Sequence, residues 1–371
     1  MSASTNGHAT NGNGAGGNGA GGNGAAATAV AGTPIALGRK DFMSDQEMRW
    51  CPGCGDYGIT AALQLMLPDL GVPPHDLVFV SGIGCAARLP YYMNTYGIHS
   101  IHGRAPAVAT GVAMTRPDLS VWVIGGDGDM LSIGANHLLQ ALRRNVDLKI
   151  LMFNNQIYGL TKGQYSPTSE IGKITKSTPF GSIDQPFNPV SVALGAEATF
   201  VARTHEADRG HMQEVFRRAH EHKGAAFVEV YQNCNVFNDG AFDDVMAKDN
   251  RDDMMIPLRH GEPVRFGADG QFGVFQNEYA ELVVDRIADR DGDAGGQLVV
   301  HDEHRPDPTL AFALSRLASG PHTPTPIGVF RDVDRPLYEL EVAAQVGEAI
   351  ERQGRGDLAE LIRSGPTWTV T

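Results

Sequence analysis

Ser120-Val121-Trp122-Val123-Ile124-Gly125-Gly126-Asp127-Gly128-Asp129 and Leu148-Lys149-Ile150-Leu151-Met152-Phe153-Asn154-Asn155 are the two stretches that decide the fold. Each is a short, nearly continuous apolar run that stops abruptly in small or polar turn residues. That pattern suits a strand buried on both faces, not one alternating between core and water. Residues 129–153 separate the Gly-Asp-Gly triplet from Asn154, room for one crossover helix and a returning strand. Ile133 to Arg144 supplies the helix, with Ile133, His137, Leu138, Ala141 and Leu142 on one stripe and Ser132 as its expected cap. Such a crossover delivers both strand ends to the same edge of a parallel sheet, where functional groups gather in folds of this class.

Working outward, Leu77–Ser81 and Ala226–Val230 read as further buried strands, and His205 to His222 as a helix with Met212, Val215, Phe216 and Ala219 at helical spacing. The expected fold class is α/β, a parallel sheet with helices on both faces, over residues 34–240. Gly, Asn and Ala make up 24 of the first 33 residues and none of the 33 is charged, so residues 1–33 are expected to stay a flexible tail. The stretch from Asp239 to Asp269 is acidic and Met-rich without periodicity and reads as an extended excursion. A strand (Gln297–His301) and two helices (Thr309–Leu317 and Leu337–Gln353) follow. Residues 241–371 are therefore expected to form a C-terminal extension that packs on the main domain or on a partner subunit.

Composition removes several function classes. The 371 residues hold 43 Asp and Glu against 30 Lys and Arg, a net charge of −13. That field repels phosphate backbones, and no basic run relieves it, so no nucleic acid partner is expected. No apolar run approaches the roughly 20 residues of a membrane span, so no membrane association is expected. The first basic residue is Arg39, which leaves no charged start for a secretory signal. Four cysteines in so long a chain fit a reducing, cytoplasmic setting, where thiolates bind metals or do chemistry.

Gly82-Ile83-Gly84-Cys85-Ala86-Ala87 formally matches a dinucleotide-binding loop, but no acidic residue stands about 20 positions on to hold a ribose, and Pro90 comes early in the following helix. The nicotinamide reading fails there. The pair formed by Gly126-Asp127-Gly128-Asp129 and Asn154-Asn155 is stronger. One carboxylate, one amide oxygen and a nearby carbonyl are hard ligands suited to Mg2+, and glycines let backbone N–H groups approach phosphates. The arrangement resembles the thiamine-diphosphate-binding motif. By position the resemblance makes Asp127, Asn155 and the carbonyl of Ile157 ligands to Mg2+, with Gly128, Asp129, Gly159 and Leu160 lining the cofactor.

The cysteines stand at Cys51, Cys54, Cys85 and Cys234, one close pair and two distant singletons. Four thiolates can hold zinc or an iron–sulfur cluster. With Trp50–Gly55, Ser81–Cys85, His102-Gly103-Arg104-Ala105-Pro106, Gly126–Asp129, Asn154–Gln164 and Cys234, the chain over residues 42–240 resembles the β subunit of the 2-oxoacid:ferredoxin oxidoreductases. The resemblance implies a [4Fe–4S] cluster on Cys51, Cys54, Cys85 and Cys234, and contacts to thiamine diphosphate from His102 and the turn Ile83, Gly84, Cys85 and Ala86. It implies coenzyme A-dependent oxidative decarboxylation, with electrons passing through the cluster to ferredoxin and an α subunit as partner. Pyruvate-specific members carry Asn at the position of Leu160 and Gly at that of Lys162. With Arg88 three residues after Cys85, two cations near an apolar wall suit a distal carboxylate, which points to 2-oxoglutarate. Two alternatives stay open: a non-redox thiamine diphosphate decarboxylase or synthase subunit, and a zinc-stabilised assembly subunit. His99, His137, His205, His211 and His220 read as surface or packing histidines, and His301 to His304 as a solvated charged turn.

Overall fold

The chain lays down β1 (Leu77–Ser81) and β2 (Tyr96–His99), and the two apolar runs then become β3 (Ser120–Gly126) and β4 (Lys149–Asn154). After β5 (Phe200–His205), β6 (Ala226–Tyr231) and β7 (Met255–Leu258) come four short strands: β8 (Arg265–Phe266), β9 (Phe272–Gln276), β10 (Leu282–Arg286) and β11 (Gln297–Leu298). The last strand is β12 (Thr325–Asp332). The structure, a computed structural model, describes residues 37–290, 297–318, 322–366, 368 and 370, so the expected tail lies outside the described residues. Eight strands form one sheet in the order β2-β1-β3-β4-β6-β5-β12-β7. The first six are mutually parallel. Strand β12 runs antiparallel to β5 and parallel to β7, so an inverted pair completes the sheet. The strands β8 to β11 build a separate antiparallel sheet around β9.

Neighbouring residues of the central strands face opposite cores, as strand geometry requires. Val78, Val80, Val121, Val123, Ile150 and Met152 enter one cluster, covered by α2 (Ala105–Thr115), α3 (Ala135–Arg144) and α4 (Pro189–Gly195). Leu77, Phe79, Trp122, Ile124, Leu151 and Phe153 enter the other, covered by α1 (Asp56–Met66) and α5 (Arg209–Glu221). This is the expected layering, a largely parallel sheet with helices on both faces. Each fully buried large side chain, such as Trp122 or Phe153, contributes on the order of 1.5–3 kcal/mol.

Several local expectations change. Ser132 caps nothing: Asp129–Ile133 form a π turn in which the Gly134 N–H donates to the Asp129 carbonyl at 3.1 Å, and α3 starts from Gly134. The helix expected from His205 begins at Arg209, where Asp208 accepts from the His211 N–H at 3.0 Å, and His205 instead ends β5. Sequence pattern hid β5 because Arg203 and Thr204 interrupt its apolar run; Arg203 is buried there against Glu229, its register partner on β6, at 2.6 Å. The excursion after Asp239 contains two one-turn helices (Asp243–Met246 and Arg251–Met254) and β7, whose Pro257 is tolerated because the strand lies at the edge of the sheet. The strand expected over Gln297–His301 shortens to Gln297–Leu298. His301 and Glu303 are not solvated: they are 1% and 6% exposed, with His301 Nε2 lying 2.7 Å from the Val329 carbonyl. Among the described residues no helix is long and apolar enough to cross a membrane.

Candidate cofactor site

In the sheet order, β1 leads outward to β2 while β3 leads inward to β4 and β6. The direction of winding reverses between β1 and β3, and crevices at such reversals, beyond the carboxyl ends of the strands, are where α/β sheets bind ligands. The loops leaving that edge carry Gly82–Ala86 after β1, His102 after β2, Asp127–Asp129 after β3, Asn155–Leu160 after β4 and Cys234 after β6.

Asp127 is buried, and its Oδ2 accepts from Ser166 Oγ and Thr168 Oγ1, each at 2.5 Å. Burial pushes its carboxyl up to about 6, and the two hydroxyls hold the rise in check. Thr168 Oγ1 also lies 3.0 Å from Asn154 Oδ1, while Asn154 Nδ2 donates to Glu229 Oε1 at 2.7 Å. Asn155 Oδ1 accepts from the Ile157 N–H at 3.2 Å and its amide donates to Gln232 Oε1 at 2.7 Å. A buried carboxylate whose side-chain partners are hydroxyls, beside an amide and the carbonyl of Ile157, is a donor set that fits a hard divalent cation. The loop between them is closely packed: a β-carbon on Gly128 would overlap the Tyr158 ring, and Tyr158 OH donates to the Gly128 carbonyl at 3.1 Å. Ser166 and Thr168 escaped the sequence reading. The only signal was a run of hydroxyl residues, Ser166-Pro167-Thr168-Ser169, shortly after Asn155.

Asp129 turns the other way. Its Oδ1 accepts from the N–H groups of Ile83 (3.1 Å) and Gly103 (2.8 Å) and lies 2.5 Å from His102 Nδ1. A carboxylate can only accept, so Nδ1 carries the proton and Nε2 is left to face outward. Any side chain at Gly82 would collide with this carboxylate. Asp129 thus anchors the loops after β1 and β2 to the end of β3.

The four cysteines are free thiols, and three of them are half-buried. The fold converges their segments. Gly55 N–H donates to the Asn233 carbonyl at 3.2 Å, Asn235 Nδ2 to the Pro52 carbonyl at 2.7 Å, and Trp50 Nε1 to the Cys85 carbonyl at 2.8 Å. The sulfurs of Cys234 and Cys85 both crowd Gly159, 3.5 and 3.6 Å from where its β-carbon would lie. Burial, with Asp56 nearby, pushes the Cys85 thiol up to about 12, and the Cys54 thiol rises for the same reasons. Asp56 and Glu206 beside them are pushed up to about 7 by burial. A coordinated metal ion would deprotonate such thiols outright. A single tetrahedral ion with ~2.3 Å metal–sulfur bonds needs its sulfurs roughly 3.8 Å apart. Among the described residues no three of these four sulfurs lie within 4.8 Å of one another.

Arg88 and Lys162 are placed less decisively. Arg88 Nη1 donates to the Arg49 carbonyl at 3.2 Å, and its charge eases ionisation of the Cys85 thiol. Lys162 is exposed on a turn with φ of 75°, and Leu160 beside it is exposed as well.

Residues 82–230 match the family described as thiamine pyrophosphate enzyme, C-terminal TPP binding domain. The chain is 55% identical over 333 residues, 89% of its length and 88% of the relative's, to the 2-oxoglutarate oxidoreductase subunit KorB of Mycobacterium tuberculosis. It is 39% identical over 261 residues, 65% of its length and 86% of the relative's, to the 2-oxoacid:ferredoxin oxidoreductase subunit beta of Saccharolobus solfataricus. Among solved structures it is similar to the 2-oxoglutarate:ferredoxin oxidoreductase from Magnetococcus marinus with 2-oxoglutarate, coenzyme A and succinyl-CoA bound. The TM-score is 0.70 at 31% identity, covering 90% of this chain and 97% of that one.

Proposed function

Because the chain belongs to the β subunits of the 2-oxoacid:ferredoxin oxidoreductases, enzymes that use thiamine diphosphate, we propose that it works with an α subunit on 2-oxoglutarate. The reaction converts 2-oxoglutarate and coenzyme A to succinyl-CoA and CO2, and two electrons leave one at a time for ferredoxin in the cytoplasm. The relatives named for 2-oxoglutarate and the ligands of the neighbouring structure support this substrate.

Asp127, Asn155 and the Ile157 carbonyl would hold Mg2+, and Gly128, Asp129, Gly159 and Leu160 would line the thiamine diphosphate, with the turn Ile83 to Ala86 and His102 against it. Cys51, Cys54, Cys85 and Cys234 would hold a [4Fe–4S] cluster. When bound, thiamine diphosphate supplies a carbon nucleophile and an electron sink, and the cluster a one-electron acceptor. The chain's own part is positional. Ser166 and Thr168 fix the oxygen of Asp127, Asp129 sets the tautomer of His102, and Gln232 turns the Asn155 amide so that its oxygen faces the loop. The carrying observation is that one turn serves both sets of residues: Ile157 is two residues from Gly159, against which Cys85 and Cys234 pack. Two residues of backbone span at most about 7 Å, so one short turn carries both the proposed Mg2+-binding carbonyl and the glycine packed against two of the proposed cluster thiols.

Anaerobic purification of the chain with its α subunit tests the reading. The expected result is about four irons and four sulfides per chain and a visible band bleached by a reductant, both lost in Cys234→Ser. Stoichiometric zinc without iron would favour an assembly role, and thiamine diphosphate binding without any metal–sulfur centre a non-redox decarboxylase.

A further inference from the structure

We infer that His260, Glu303 and His304 form a binding site for a divalent transition-metal ion such as Zn2+, remote from the cofactor edge. One ligand atom from each lies within 4.8 Å of the other two. His260 stands on the turn after β7, and Glu303 and His304 on the segment after β11. The two segments are pinned to one another by backbone: the Gly261 N–H donates to the His301 carbonyl at 2.8 Å, and the His301 N–H to the Glu262 carbonyl at 3.0 Å. The imidazoles of His260 and His304 face each other with ring centres 4.6 Å apart, inclined at 52°.

The surroundings orient these groups as ligands. His304 Nδ1 lies 2.7 Å from the Asp332 carbonyl. A carbonyl only accepts, so Nδ1 carries the hydrogen and the Nε2 lone pair is left open, 3.6 Å from Glu303 Oε1. A metal-bound histidine is commonly fixed by this kind of second bond. Glu303 is 6% exposed and held by Arg218, whose Nη2 donates to Oε1 at 2.9 Å and Nη1 to Oε2 at 3.2 Å. His260 Nδ1 lies 3.6 Å from Asp302 Oδ1. The positive charge of Arg218 opposes a cation, but it is shared with Asp332 at 3.1 Å, and Glu303, Asp302 and Asp332 together outweigh it.

Two imidazoles and one carboxylate suit zinc and its late first-row neighbours, whereas Mg2+ and Ca2+ want oxygen ligands throughout. Bonds of about 2.1 Å at tetrahedral angles need ligand atoms roughly 3.4 Å apart; His304 Nε2 and Glu303 Oε1 already stand 3.6 Å apart, and the exposed His260 imidazole can close on them by rotating about its χ angles. The fourth position opens to water. The place in the fold indicates the role. Asp332 pairs with Phe200, the first residue of β5, so the site lies at the edge where the parallel strands begin, not where they end. An ion there ties the turn after β7 and the segment after β11 together, and through Arg218 and Asp332 links both to α5 and β12. It stabilises the folded chain by mass action and takes no part in turnover.

The test uses the full chain assembled with its α subunit and with its iron–sulfur centre loaded, under anaerobic conditions with Mg2+ in excess. Co2+ titration followed by d–d absorption should show one equivalent in a four- or five-coordinate site, and Zn2+ should raise Tm. His260→Ala and His304→Ala, both at exposed side chains, should each weaken Co2+ binding about tenfold or more. They should abolish the Tm response to Zn2+ while leaving kcat unchanged. Cobalt taken up by cysteines would announce itself by sulfur charge-transfer absorption, which the histidine variants would not alter. Equal Co2+ affinity and an equal Tm response in wild type and both variants would overturn the assignment.

Discussion

Asp127 Oδ2 is occupied by the Ser166 and Thr168 hydroxyls, so the direction in which this carboxylate meets a metal is set by residues some forty positions later in the chain. Asp127→Asn keeps the shape and removes the charge, and should weaken thiamine diphosphate binding in the presence of Mg2+ by at least about tenfold, roughly 1.4 kcal/mol. Thr168→Val should weaken it less, because Ser166 still holds the carboxylate. Isothermal titration of the assembled enzyme decides both, and an unchanged affinity in Asp127→Asn would remove the magnesium assignment. Substrate choice is also a matter for single residues. If Arg88 and Lys162 grip a distal carboxylate, losing either charge-assisted bond should cost about 1.5–3 kcal/mol, a tenfold to hundredfold fall in kcat/KM for 2-oxoglutarate. Pyruvate, which has no distal carboxylate, should be little affected. If neither Arg88→Ala nor Lys162→Ala narrows the ratio between the two substrates, the assignment fails. The exposed position of Lys162 and the bond from Arg88 to Arg49 make this the stricter trial.

At the scale of elements, β5 and β6 are joined by an ion pair buried on both sides: Arg203 and Glu229 are 1% and 0% exposed. Arg203 also donates to the Pro326 carbonyl of β12 at 3.2 Å and lies over the rings of Tyr231 and Phe330. Glu229 in turn holds Asn154 at the cofactor edge. Arg203→Met should therefore leave an unpaired buried carboxylate and cost about 3–5 kcal/mol in urea unfolding, while pairing it with Glu229→Leu should recover much of the loss. A small effect of the single change would mean that Glu229 finds water or takes up a proton at little cost. The two members of the pair affect pattern reading differently, since β5 escaped it while β6 did not. Arg203 and Thr204 side by side leave β5 an apolar run of only Phe200, Val201 and Ala202, whereas Glu229 in β6 is flanked on both sides by apolar residues.

For the whole molecule, the sheet does not stop at residue 240: β7 and β12 continue it, and Leu37–Thr371 form one unit. The loops leaving the cofactor edge carry exposed apolar side chains, among them Ile101, Leu160, Ile174, Phe180, Ile183 and Val236. Large apolar groups left open around a site suit an interface with another chain. Thiamine chemistry also needs a carboxylate against the aminopyrimidine; residues 42–240 supply the diphosphate-binding half, and among the described residues the remainder adds no second strand–helix series for the other. The chain without its α subunit is accordingly expected to bind metal yet show no more than background 2-oxoglutarate oxidation with a ferredoxin or dye acceptor. Robust turnover by the isolated chain would refute that.

Sequence by itself determined the parallel core and the edge shared by Asp127 and Asn155, because each depends on local periodicity or on spacing within one crossover, and it indicated the family through a resemblance carried by motifs spread over residues 42–240. It could not show how Ser166 and Thr168 return to Asp127, how Asp129 reaches back to Ile83 and His102, how Arg203 is neutralised in mid-sheet, or that Glu303 is buried against Arg218. Those contacts join residues far apart in the chain, and their energies come from burial and geometry that exist only once the strands are side by side.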